Sequence, residues 1–337
     1  MKPVRFAAIG LDHFHIHAQI EMMLGQGAEF VAYTGEEEKF FRKSFAETYP
    51  QARRVDDPRR IHEDRSIDLV LSAGVNSERA ALGVEVMRHG KDFMVDKPGV
   101  TSLDQLAEVR RVQAETGRIY SICMGHVSSP SVVKAGDLLR RGAIGTLVNM
   151  VSLGPHRLNR ARRPDWFFRR EKFGGILTDI GSHACENFLF FTGRLDAEIV
   201  SATVANRGSP DIPGFQDFGE ILLRTPEATG YVRVDWFTPD GLPTWGDGRC
   251  TLIGTEGYIE LRKNLDIAGA PGGDHVFLVD RNGVQRIEGE VELTYARQLV
   301  ADIRNRTETA MSQAHCFRAA ELAITAQAMA EKNGVKA

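Results

Sequence analysis

No stretch of this 337-residue chain approaches the roughly 18 uninterrupted apolar residues that a membrane-spanning helix requires. Cysteine is scarce: Cys123, Cys185, Cys250 and Cys316 lie more than sixty residues apart. That spacing excludes a CxxC redox pair and a zinc ribbon, and four reduced, buried thiols are expected. Neither sign of charge prevails, since 42 Lys and Arg against 45 Asp and Glu leave a net −3. So weak a balance gives no footprint for nucleic acid or an anionic membrane surface. Repeats, low-complexity tracts and long polar linkers are all missing. The opening MKPVRFAAIG runs straight into a strand-like pattern without an apolar leader, and with the sparse thiols it points to a cytoplasmic protein. What is present, 42% hydrophobic and 26% charged residues, is a globular composition. The length predicts about two domains.

Residues 1–125 alternate short apolar runs with amphipathic stretches. VRFAAIG at 4–10, residues 30–33, IDLVLSA at 67–73, residues 93–95 and 119–124 read as buried strands. Between them, helices are expected up to Leu24, over 36–49, over 78–89 and from a Ser102 cap to Thr116. Continuous apolar strands alternating with helices predict a doubly wound (Rossmann) α/β domain with a parallel sheet. Residues 126–337 read as an α+β domain. After a helix over 130–141 and a strand over 146–153 come a basic, aromatic segment and the glycine-opened helix GGILTDIGSHACENFLFFTG. Six alternating or mixed runs between 198 and 287 then predict a large, mostly antiparallel sheet. Helices over 292–331 are expected to pack back on the first domain, and a cleft is expected between the two.

In a doubly wound sheet, ligands sit beyond the carboxyl ends of the strands. There the fingerprint GxGxxG reads Gly10, Leu11, Asp12, His13, Phe14, His15, with only the first glycine kept. Asp12 would repel a phosphate, whereas the helix start behind it supplies amide donors and a positive dipole end. Thr34 or Glu36, after the second strand, could meet a ribose hydroxyl. With no Lys or Arg between that strand and Lys39, the balance leans to NAD over NADP. His13 and His17 are four apart with no third ligand nearby in sequence, so no metal is expected.

Two segments carry chemistry. Asp96-Lys97-Pro98 ends a parallel strand and sends a lysine toward the ligand crevice. Asp179 and His183 stand at i, i+4 and share a helix face, a carboxylate–imidazole pair suited to acid–base work near neutral pH.

Together these segments resemble the glucose-fructose oxidoreductase/inositol dehydrogenase (Gfo/Idh/MocA) family. Asp96-Lys97-Pro98 is similar to its EKP motif, and LTDIGSHACE to its DxGxHxxD helix, with Glu186 in the last place. Gly142–Gly145 and the turn Ala73-Gly74-Val75-Asn76 also match. The resemblance implies an NAD(P)-dependent dehydrogenase acting on a sugar, polyol or derivative. Lys97 would bind the substrate hydroxyl and help move its proton, His183 would be the main acid–base group, and Asp179 would orient substrate or imidazole. The cofactor would lie near residues 10–15, Ala73, Gly74, Asn76, Asp96 and Lys97. It also implies a homodimer or homotetramer formed through the second domain's sheet. Departures are the eroded glycine turn, Gly125-His126 after the last strand, and the family's histidine past the fourth-strand loop, which is replaced by Arg79 or absent. Two other outcomes stay open: a non-catalytic ligand-binding or regulatory protein of the same fold, and a lyase, epimerase or hydrolase that uses tightly held NAD.

Candidate substrate contacts are His126, His156, Arg157 and Trp166, since arginine forks suit anions and aromatic faces suit sugar rings. Trp245-Gly246-Asp247-Gly248-Arg249 is a glycine-rich turn whose Asp and Arg could reach sugar hydroxyls.

Overall fold

The computed structural model describes residues 2–37 and 43–334. The described residues divide into two compact units: those up to 123 with 171–174 and 294–317, and those at 124–170, 175–293 and 318–334. Among the described residues no helix is long and apolar enough to cross a membrane.

The first unit holds β1 (Arg5–Leu11), β2 (Glu29–Glu37), β3 (Arg53–Arg54), β4 (Leu69–Ser72), β5 (Asp92–Asp96) and β6 (Tyr120–Cys123). They form one sheet in the order β3-β2-β1-β4-β5-β6, parallel at every pairing. This is the doubly wound order, whose switch point falls between β1 and β4. Every residue of β4 and β5 is buried, so these strands, apolar apart from Ser72 and the terminal Asp92 and Asp96, show no alternation. The helix Leu103–Thr116 starts where the Ser102 hydroxyl accepts from the Gln105 amide and stops at the left-handed Gly117. One expectation is corrected. Glu36 and Glu37 continue β2 instead of opening a helix, Leu11 pairing with Glu37. The helix itself is only Phe45–Thr48, closed by a Ser44–Glu47 capping box. The middle of the expected helix, with Lys39, lies outside the described residues.

The second unit is built on eight strands: β7 (Leu147–Pro155), β8 (Glu198–Ala205), β9 (Phe218–Arg224), β10 (Thr229–Asp235), β11 (Arg249–Gly254), β12 (Gly257–Arg262), β13 (His275–Asp280) and β14 (Gly283–Arg286). Their order is β14-β13-β12-β11-β7-β10-β9-β8. All pairings are antiparallel except β7 with β10. Alternation decides the faces. Ile221, Val232, Met150, Leu252 and Ile259 are buried on one side, while Leu222, Ile253 and Tyr258 on the other are exposed.

Between Gly175 and Thr192 the chain makes a π-helical turn, Leu177–Gly181, that passes into the α-helix Ser182–Thr192. Asp179 lies in the wider turn and His183 in the regular helix. The C-terminal run is two helices, Tyr295–Asn305 and Gln313–Lys332. The loop between them is held by the Asp302 carboxylate, which accepts from the Thr309 and Ala310 amides and from the Thr307 hydroxyl.

Candidate active site

In the first unit, the loops at the switch point are packed backbone to backbone. Gly10 has φ +80°, and a Cβ there would lie 2.9 Å from the Gly74 Cα. Only glycine satisfies both the left-handed backbone and the close approach. Beyond it the helix His15–Leu24 begins with no acid in its first turn; its His15 amide donates to His13 Nδ1 at 3.3 Å, and the Ile16 and His17 amides to the carbonyls of His13 and Phe14. Burial raises the pKa of Asp12, against a partly opposing backbone hydrogen bond. Thr34, Ala73 and Asn76 are buried, and Asn76 donates to the Phe173 carbonyl at 2.8 Å. Glu36, at the carboxyl end of β2, is exposed.

Arg79 organises the loop that presents Lys97. It is 1% exposed. Its Nε donates to the Gly74 carbonyl at 2.8 Å, and its Nη1 lies 2.5–3.2 Å from the carbonyls of Asp96, Lys97 and Pro98. Its Nη2 stands 3.5 Å from the Asp96 carboxylate. The other Asp96 oxygen meets His15 Nδ1 at 3.0 Å, with His13 Nδ1 4.0 Å away from the first. Burial alone would raise the Asp96 pKa. His15, Arg79 and His13 outweigh it and hold the carboxyl well below the usual range. Asp96 therefore ties together the loops after β1, β4 and β5. Lys97 is itself buried, and the Lys97–Pro98 peptide is cis. Arg79 stood out in the sequence only as a departure from the family's histidine, because its partners are backbone carbonyls.

In the second unit, the Gly125 amide donates to His183 Nδ1 at 3.0 Å. A backbone N–H can only donate, so Nδ1 is an acceptor and the neutral ring carries its proton on Nε2. The donor of the His183 ring is therefore on its Nε2 side. Gly125 is placed by Glu186, which is 0% exposed. The Glu186 carboxylate accepts from the His126 amide at 2.9 Å and meets His126 Nδ1 at 2.6 Å. The His126 ring stacks on Phe190 at 4.4 Å. His126 is therefore a buttress of this turn. Gly125 has φ +58°, and a Cβ there would fall 1.4 Å from a Glu186 oxygen. Asp179 is buried in the π-helical turn.

His183 lines a pocket of about 110 Å³ bounded by the Ser182–Thr192 helix and by β7, β11 and β12. His156 and Trp245 are among its walls, their rings 4.4 Å apart. Arg157 lies elsewhere, its guanidinium donating to the carbonyls of Pro239 and Leu242. Trp166 packs edge-on against Phe167.

The GFO/IDH/MocA C-terminal domain model matches residues 132–260. The chain is 42% identical to a crystallised protein of Erwinia carotovora atroseptica assigned as an oxidoreductase, covering 97% of this chain and 98% of that one, with a TM-score of 0.93. It is 25% identical over 287 residues to the scyllo-inositol 2-dehydrogenase (NAD(+)) of Bacillus subtilis, 82% of this chain and 80% of that protein. With the D-xylose dehydrogenase of Paenarthrobacter nicotinovorans it shares 26% identity over 148 residues, which span only 38% of that enzyme.

Proposed function

The chain belongs to the GFO/IDH/MocA family, and from that premise we propose that it is an NAD(P)-dependent oxidoreductase acting on a secondary alcohol of a sugar, polyol or derivative. The observation that carries the reading is Lys97, set at the carboxyl end of β5 beside the switch point and locked there by a buried arginine. A dinucleotide fits what surrounds it. The positive dipole end of the helix that starts at His15, with no acid in its first turn, suits the pyrophosphate, and Gly10 keeps the turn tight. The exposed Glu36 carboxylate suits a ribose 2′-hydroxyl and would repel a 2′-phosphate, which favours NAD.

When bound, the nicotinamide supplies the carbon that accepts the hydride. The Lys97 amine takes the hydroxyl proton during oxidation and returns it during reduction. His183 donates from Nε2 to the substrate oxygen, and Asp179 orients the substrate. Glu186 acts one step back, by fixing the Gly125 amide that sets the His183 tautomer. The exposed sheet face bearing Leu222, Ile253 and Tyr258 supports a homo-oligomer formed through β7–β13. The thiols and the absence of a disulfide pattern support a cytoplasmic setting.

The test is turnover of a polyol and aldose panel with NAD and with NADP, in wild type and Lys97→Met. Loss of general acid–base help should lower kcat by about 10²–10⁴-fold with the circular dichroism spectrum unchanged. A variant that turns over like wild type refutes the assignment.

A further inference from the structure

The walls of the pocket beside His183 are unevenly charged. Arg249 and Lys263 line it together with the imidazoles of His156 and His183, and not one carboxylate is among the described residues lining it. Arg249 opens β11, Lys263 follows directly on β12, and the two are held in register: the Lys263 amide donates to the Gly248 carbonyl at 2.9 Å, and Arg249 pairs with Arg262 across β11 and β12. Arg249 uses its Nε and Nη2 on a single oxygen of Asp247, at 3.0 and 2.6 Å, which fixes the guanidinium plane. Counting that acid against the pair still leaves two cationic side chains to one carboxylate. The Lys263 ammonium stands 6.0 Å from the Trp245 ring centroid, so the flat aromatic wall and a cation are neighbours. Deeper in, Asn187 Oδ1 is buried with no hydrogen-bond partner, an acceptor waiting for a hydroxyl.

We propose that this pocket takes a sugar derivative bearing an anionic group. Trp245 covers an apolar face of the sugar, Asn187 accepts from a ring or chain hydroxyl, and Lys263 and Arg249 receive a carboxylate or phosphate. The inference rests on the oxidoreductase reading for which site is meant, while its test reads binding alone.

Calorimetry on the full-length protein would compare matched probes: D-glucose with D-glucuronate and with D-glucose 6-phosphate, and D-xylose with D-xylonate. At least one anionic member should bind about tenfold or more tightly than its neutral partner. The advantage should shrink as salt is raised and reverse in Lys263→Glu. The glucuronate and phosphate arms show which anion is favoured. Equal or tighter binding of the neutral sugars, no binding by any anionic probe, or an advantage untouched by Lys263→Glu overturns the proposal. A parallel NADH titration of the same sample judges the nicotinamide reading separately.

Discussion

Gly125→Ala perturbs the proposed histidine geometry at its root, and its cost can be worked from distances. An alanine at φ +58° carries the left-handed penalty of about 1 kcal/mol. Its Cβ would also lie 1.4 Å from Glu186 Oε2 and 2.4 Å from Cδ, so a fully buried carboxylate must withdraw. Withdrawal breaks two hydrogen bonds to His126, each worth about 1.5–3 kcal/mol because the acceptor is charged. Gly193→Ala is the control. It ends the same helix at φ +66° with nothing within 4 Å of a Cβ, so only the backbone penalty applies. Gly125→Ala should therefore be less stable than Gly193→Ala by at least about 3 kcal/mol. In a Glu186→Ala background its added cost should fall to about 1 kcal/mol. Urea titration followed by tryptophan fluorescence reads the relevant unit, because Trp166, Trp236 and Trp245 all belong to the second one. Equal midpoints for the two glycine variants would refute the reasoning.

Arg79→Met removes the donor to four buried carbonyls and one of the partners of Asp96, and should cost about 3–5 kcal/mol in chemical denaturation followed by circular dichroism. Arg79→Lys should fall between it and wild type, since one ammonium cannot reach every carbonyl. Asp96 is held below its unfolded pKa, so its stabilisation is complete above about pH 5 and fades as pH falls further. Asp96→Asn should thus be most destabilising near neutrality and approach wild type in acid; a gap that widened on acidification would contradict the paired carboxylate. Burial raises the Cys123 thiol and pushes those of Cys185 and Cys250 up to about 12, so none of the three should react with Ellman's reagent at mildly alkaline pH until the protein unfolds.

The strands were legible because their partners impose a period. Ile221 and Leu223 are buried with Leu222 exposed between them, and the all-buried runs of β4 and β5 betray a sheet covered on both faces. Edge elements left no such trace: β3 is two exposed arginines, and β14 is exposed throughout. The acidic run from Glu36 suggested a helix, but pairing of Glu37 with Leu11 extends the strand, a tertiary contact overriding local propensity. Lys97, Asp179 and His183 stand out as candidates because each sits in a short motif. Glu186 and Arg79 showed as motif positions, but their contacts did not: the Glu186 carboxylate acts on a backbone 60 residues away, and Arg79 on carbonyls 17–19 residues along the chain. Backbone acceptors leave no mark in side-chain patterns.

The account stands or falls on hydride transfer, and isotopic labelling follows the hydride itself. With a turned-over sugar or polyol deuterated at the reacting carbon, the deuterium should appear on the nicotinamide ring of the reduced cofactor, with a primary isotope effect on kcat/KM. Product formed with the label released to water, or returned to product with no net reduced cofactor, would contradict it.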